Sequence, residues 1–254
     1  MKEIIAENIF RLTIPFEDIY TTVYLIKHED GDILFDTATY PEDIEEYIIP
    51  FVNSHETELK YVFISHNHRD HAGGLETLLK HYPKVQVISR SRELKEKFAS
   101  YDVYCPKDGE EFCEGFKAVA IEGHTYDSMG LYDTENRILI SGDSLQLYGI
   151  YGSGEWGANI GLVKGHIDAV NKLKGMDIES IYTAHDYHPM GYAYEGRGNV
   201  LKALDFALEP LYRIKELQKI YPEKSEEEIR GIYHKENLPT VRIGIFTAVR
   251  ETEM

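Results

Sequence analysis

Ser65-His66-Asn67-His68-Arg69-Asp70-His71 is the stretch that decides the fold. Three imidazoles and one carboxylate fall between positions 66 and 71, in a chain with 11 histidines among 254 residues. A polar surface loop rarely concentrates histidine so strongly. The stretch directly follows the apolar run Tyr61-Val62-Phe63-Ile64, which reads as a buried strand. A loop leaving a strand end can aim several side chains at one point. His66 and His68, two positions apart, project to the same side of an extended segment. Imidazole with carboxylate, without thiolate, is a ligand set for zinc, or for iron and manganese.

One loop does not complete a metal centre, so other segments must contribute. Glu122-Gly123-His124-Thr125 follows the strand-like run from Phe116 to Ile121. Ser141-Gly142-Asp143-Ser144 follows Arg137 to Ile140, and Ala184-His185-Asp186 follows Ser180 to Tyr182. Each places a His or Asp beside a small residue where a short β-run ends. Any one alone reads as a hydrogen-bonded turn. In series behind the first cluster they read as ligands gathered from several strand ends onto a rigid scaffold.

In this order His66-x-His68-x-Asp70-His71, His124, Asp143 and His185 resemble the motifs of the metallo-β-lactamase superfamily of metallohydrolases. Asp36, in Leu34-Phe35-Asp36-Thr37, matches that family's earlier acidic motif. The resemblance runs over about residues 1 to 190 and includes every motif position. It implies a four-layer αββα sandwich, where periodicity alone gives only α/β. It also implies two divalent metal ions, zinc by default, with iron or manganese as the alternatives. His66, His68 and His124 would hold one ion. Asp70, His71 and His185 would hold the other, and Asp143 would bridge them. Asp36 is expected behind the ligands, fixing their loop. Two dications, two ligating carboxylates and a bridging hydroxide leave a formal charge of about +1. Such a centre lowers the pKa of its water and stabilises a developing oxyanion. Asp70 is the expected catalytic group, orienting the metal-bound hydroxide and passing its proton to the leaving group.

The implied reaction is hydrolysis of a small ester, thioester or lactone. An acid at Asp143 resembles the glyoxalase II-like thioesterases, the lactonases and the phosphodiesterase branch, whereas β-lactamases of the family carry Cys or no bridging acid there. The alternatives are a phosphodiesterase or nuclease of the same fold, and a mononuclear iron persulfide dioxygenase. The flavodiiron branch places Glu where this chain has His68. Substrate contacts are expected from the glycine- and aromatic-rich stretch Gln146 to Gly157, with Tyr148 and Trp156 as candidates, and from His188. Arg197 reads as an exposed loop arginine and His166 as solvated. His28, His55, His81 and His234 show no ligand context in the sequence.

Composition agrees with a globular enzyme: 43% hydrophobic and 28% charged residues. Length suits a single domain over 1–254, helical at about 198–235. Twenty-seven basic against 44 acidic residues give a net charge of −17, which repels phosphate backbones and anionic membranes. A small-molecule substrate is therefore expected, without nucleic acid or membrane, and the residues define no oligomeric state. No apolar run approaches a membrane span, and the start lacks the basic and apolar regions of a signal peptide. Cys105 and Cys113 form no disulfide framework and read as reduced thiols, so a cytoplasmic location is expected.

Local patterning predicts strands at 3–14 and 20–28, an Asp30-Gly31 turn, and a third strand from Asp32 to Phe35. It predicts helices at 41–54, after Gly73-Gly74 to about His81, at 92–99 and at 160–174. Strands are expected at 60–65, 85–89, 116–122, 129–133, 137–142 and 180–184. A long amphipathic helix at 198–220 should kink or split at Pro210. Ser225 to Glu228 is a capping-box start, and Val241 to Val249 reads as a last strand or extended tail.

Overall fold

The first strands form where β-branched and aromatic residues alternate with polar ones. In a computed structural model that describes residues 2–56, 58–151, 157–236 and 241–253, the run expected at 3–14 is two strands. These are β1 (Lys2–Ala6) and β2 (Ile9–Phe16), separated by a turn at Glu7–Asn8 and paired antiparallel. The apolar pattern continues through the turn, so hydrophobicity alone does not reveal it. Contacts divide the chain into two compact units, Met1–Ala120 with Met129–Thr134, and Ile121–Ser128 with Glu135–Met254.

The first unit carries a seven-stranded sheet whose strands lie side by side in chain order. After β1 and β2 come β3 (Ile19–Ile26) and β4 (Asp32–Phe35). A helical run follows, α1 (Pro41–Asp43), a π turn at Ile44–Ile48, and α2 (Ile49–Asn53). Next come β5 (Leu59–Phe63), α3 (Arg69–Ala72), α4 (Leu75–His81), β6 (Gln86–Ile88), α5 (Arg92–Lys97) and β7 (Val103–Tyr104). β1 to β4 are antiparallel, and β4 to β7 are parallel. Both faces of the sheet are buried, as parallel strands require. Leu34 and Val62 pack on one face with Ile44, Phe51, Leu75 and Leu78. Their neighbours Phe35 and Phe63 stack on each other at 5.2 Å on the opposite face. Phe63 also meets Phe112 at 5.8 Å, from the antiparallel strands β8 (Glu110–Cys113), β9 (Phe116–Ala120) and β10 (Met129–Asp133).

In the second unit β11 (Ile138–Ile140) runs parallel to β12 (Ser180–Tyr187), with α6 (Val163–Gly175) between them in the chain. β13 (Gly191–Glu195) returns antiparallel to β12. Three helices follow: α7 (Arg197–Ile220), α8 (Glu226–Tyr233) and α9 (Ile243–Glu251). Pro210 does not split α7, which is continuous through it. An internal proline costs about 3 kcal/mol. Leu211, Ile214 and Leu217, buried against α8 and α9, offset that cost. The capping box at Ser225 is present, with the Glu228 amide donating to the Ser225 hydroxyl. Val241 to Val249 is not a strand: α9 occupies most of it. Its β-branched residues favour a strand locally, but Ile245, Phe246 and Val249 fall on one helical face and fill the core shared with α7 and α8.

Candidate metal centre

Each unit presents its own set of candidate ligands. In the first, parallel pairing of β4 with β5 sets Phe35 beside Phe63, so both strands end together. Asp36 follows β4 with φ of 65°, and its fully buried carboxylate organises the loop after β5. Its Oδ1 accepts from the Ser65 amide at 2.7 Å. Its Oδ2 accepts from the Ser65 hydroxyl at 2.8 Å and lies 2.7 Å from His71 Nδ1. Burial pushes the Asp36 carboxyl up, while His71 and Ser65 oppose that shift. Donation from Nδ1 to Asp36 assigns the tautomer of His71 and turns its Nε2 into a ligand atom, the arrangement seen behind metal-binding histidines. That Nε2 lies 3.2 Å from Asp70 Oδ2.

Ser65 Oγ, having donated to Asp36, stands 3.1 Å from His66 Nδ1. The His66 ring contacts those of His68 and His71 at 4.6 and 4.2 Å. His66 and His71 are buried and His68 is exposed. The loop backbone is clamped by Thr21 and Thr37, whose hydroxyls donate to the carbonyls of Asp70 and His71. Gly73 is not a flexible turn but a point of close approach. A Cβ there would stand 2.0 Å from the Thr39 carbonyl oxygen.

In the second unit His124 follows Gly123, whose φ is 150° and whose added Cβ would meet His166 Cβ at 2.7 Å. His124 Nδ1 donates to the Asn159 carbonyl at 2.8 Å, which leaves Nε2 as its ligand atom. That Nε2 lies 3.8 Å from Asp143 Oδ2, and His185 Nε2 lies 3.4 Å from Asp143 Oδ1. The two oxygens of one carboxylate therefore serve different histidines. Nitrogen and oxygen ligands about 2.0–2.1 Å from a shared tetrahedral ion stand roughly 3.3–3.4 Å apart, close to both gaps. The donor set and spacing fit divalent ions, and the Asp70–His71 and Asp143–His185 pairs each bring ligand atoms within 4.8 Å.

Several expectations change here. His166 is buried, not solvated: its Nε2 bonds the Ala207 carbonyl at 3.0 Å, and burial pushes its pKa down to about 4. The residue lies on an amphipathic helix, but that face packs on Gly123 and α7. Arg197 is no free loop arginine, since it donates to the carbonyls of Lys174 and Ile178. His28 does have a ligand context, alongside Asp30 and Cys113. Tyr148 donates its hydroxyl to Glu209 and sets its ring on Phe206. His188 packs against the ring of Tyr151, and Trp156 lies outside the described residues.

Two groups that position the candidate ligands escaped the sequence reading. Ser65 was quoted only as the start of the motif. Gln146 was read as part of a substrate loop, yet it is buried; its amide donates to the Asp143 carbonyl at 2.8 Å and accepts from the Asn159 amide at 2.9 Å. It thereby joins the Asp143 turn to the residue that orients His124. A glutamine in a glycine- and tyrosine-rich loop gives no pattern that would reveal this.

Residues 17–102, which hold Asp36 and the whole motif loop, match the family model of the metallo-β-lactamase superfamily. The hydroxyacylglutathione hydrolase of Vibrio cholerae is 27% identical over 183 residues, which are 70% of this chain and 66% of that protein. The probable hydroxyacylglutathione hydrolase of Schizosaccharomyces pombe is 34% identical over 110 residues, 41% of each chain. Among solved structures, a metallo-β-lactamase from Erythrobacter litoralis superposes with a TM-score of 0.61 at 19% identity, over 82% of this chain and 96% of that one. A flavo di-iron protein variant from Thermotoga maritima gives 0.66 at 21% identity, over 84% and 61%. These likenesses share one fold, mixed α/β with two sheets, as expected from the motifs. The family-model match, the hydroxyacylglutathione hydrolase relatives and the shared fold together support the metallo-β-lactamase superfamily for this chain.

Proposed function

We propose that this protein is a dinuclear metal-dependent hydrolase of a small thioester, with esters and lactones as the neighbouring substrate classes. The observation that carries the reading is Asp143, one carboxylate oxygen turned to His124 and the other to His185. A histidine pair around a single ion does not need a carboxylate with two opposed partners, whereas a bridged pair of ions does. His66, His68 and His124 would hold one ion and Asp70, His71 and His185 the other, with zinc the default occupant. When bound, the ions supply Lewis acidity and a water of lowered pKa.

The chain's own residues do the rest. Asp36 holds His71 in one tautomer and anchors Ser65, so the loop enters the reaction already oriented. Asn159 does the same for His124. Asp70, half-buried beside His71, would orient the attacking water and carry its proton to a thiolate leaving group. The thioester choice rests on the hydroxyacylglutathione hydrolases among the relatives. Charge supports it as well: at −17 the protein gains nothing from counterion release with a polyanion.

The test is a panel of thioesters, lactones, aryl esters, a phosphodiester and structured RNA with metal-replete protein. The best acyl substrate should exceed RNA in kcat/KM by at least ~10³, or about 4 kcal/mol in transition-state binding. Efficient RNA cleavage with weak acyl hydrolysis would move the protein to the nuclease branch. Recovery of one ion per chain, with oxygen-dependent chemistry, would favour the mononuclear dioxygenase.

A further inference from the structure

A second group of metal-ligating side chains lies wholly within the first unit, at the end of its sheet opposite the motif loop. His28 follows β3, Asp30 sits in the turn to β4, and Cys113 closes β8. One ligand atom from each falls within 4.8 Å of the other two. Cys113 Sγ is 3.3 Å from His28 Nδ1. A thiolate and an imidazole nitrogen on one tetrahedral zinc ion stand about 3.6 Å apart, so this pair needs to move only a few tenths of an ångström.

The surroundings hold the three in place. Gly31 adopts φ of 113°, and a Cβ there would meet the Lys60 side chain at 2.6 Å, so the turn that presents Asp30 requires glycine. Lys60 Nζ donates to the Asp30 carbonyl at 2.8 Å, away from the carboxylate. Phe116 meets the His28 ring edge-on at 5.4 Å. Cys113 is buried and Asp30 exposed, which gives an ion an approach from solvent with a thiol at the inner end.

We propose that His28, Asp30 and Cys113 bind one thiophilic divalent ion of the zinc class, separate from the hydrolytic centre. Binding breaks the Cys113 S–H bond and releases that proton to solvent. The Nδ1 lone pair of His28, now shared between the Cys113 thiol and the Asp30 amide at 3.2 Å, passes to the ion. Thiolate, carboxylate and dication sum to zero charge, and water completes four-coordination. In the absence of an ion, burial and the Asp30 charge push the Cys113 thiol up, which makes it a poor nucleophile. A coordinated cation reverses that balance. The ion would clip the β3–β4 turn to the end of β8.

The experiment is a cobalt(II) titration of the full chain. Cys105 and Cys113 are its only thiols, and the hydrolytic ligands are imidazoles and carboxylates, so a thiolate-to-cobalt charge-transfer band in the near ultraviolet reports this site alone. At saturation the band's intensity should correspond to one thiolate–cobalt bond per chain. It should persist in Cys105→Ser, vanish in Cys113→Ser, and need at least ~10-fold more cobalt in His28→Ala and Asp30→Asn. Zinc should also protect Cys113 from a thiol-labelling reagent in the unaltered protein, a readout that does not depend on how the variants fold. Absence of the band, its survival in Cys113→Ser, or labelling of Cys113 unchanged by zinc would overturn the proposal. None of these readouts depends on the hydrolase reading.

Discussion

The candidate ligands of the two units are held by opposite means. In the first unit four of them follow one another from His66 to His71, and a single buried carboxylate, Asp36, orders the loop through three hydrogen bonds. In the second unit His124, Asp143 and His185 come from three distant segments. They are ordered by main-chain groups and by Gln146, which bonds the Asp143 carbonyl, the Tyr187 hydroxyl on the His185 strand and the Asn159 amide. A contiguous motif can rely on one keystone. A dispersed set needs a separate support for each member. The first arrangement should therefore fail sharply when its keystone is changed, and the second gradually, except at the residue that is itself shared.

Asp143 is that exception. Asp143→Ala removes a carboxylate that faces two histidines, and two dications would then repel each other with less compensation. Hydrolysis should fall by at least ~10³-fold and metal content below two ions per chain, measured by rate assay and elemental analysis. Retention of both ions at full rate would show that the bridge is misassigned.

Asp36→Asn tests the keystone. Asn offers one acceptor oxygen where Asp36 serves a backbone amide on one side and Ser65 with His71 on the other, so either orientation sets a donor against a donor. Metal affinity or activity should drop about 10–100-fold in protein that still folds by circular dichroism. A drop as large as that of Asp143→Ala would place Asp36 among the ligands themselves.

His166 packs on the Gly123–His124 turn and stays neutral in the folded protein above about pH 4. Its folded pKa of about 4 lies below the ordinary value of 6.5. Its contribution is therefore fully present above pH 6.5 and is lost as pH falls toward 4, by up to roughly 3 kcal/mol. In metal-free protein, His166→Gln should flatten that part of the stability–pH curve, read by denaturant unfolding. An unchanged slope would mean that other groups govern it.

Gln146→Ala should have the smallest effect on activity. It loses three hydrogen bonds, about 2–4 kcal/mol in stability, and lowers kcat by less than ~10-fold, because the motif loop keeps its own supports. A collapse in activity would erase the contrast between keystone and dispersed support.

Much of the site was legible because its chemistry is written in residue type. Three histidines and an aspartate behind an apolar strand point to metal ligation by residue type alone, and the later candidate ligands stand at strand ends that period-2 patterning can find. The supports were harder to see. Ser65, Gln146 and Asn159 act through a few polar atoms whose key partners, Asp36, Asn159 and His124, lie in other segments of the chain. The C-terminal helix α9 was misread because Ile245 and Val249 are β-formers whose helical spacing matters only once α7 and α8 are there to receive them. His28 and Cys113 are 85 positions apart, and only the packing of β8 brings them together.

The chain-order pairing of the first sheet has a consequence during synthesis. Each strand from β1 to β7 adds beside the one before it, so this sheet needs no later segment to complete its pairing. At ribosomal speeds, on the order of ten seconds separate the appearance of His71 from that of His185. Over that interval the nascent chain would offer the four candidate ligands of the motif loop, ordered by Asp36, before the other three exist.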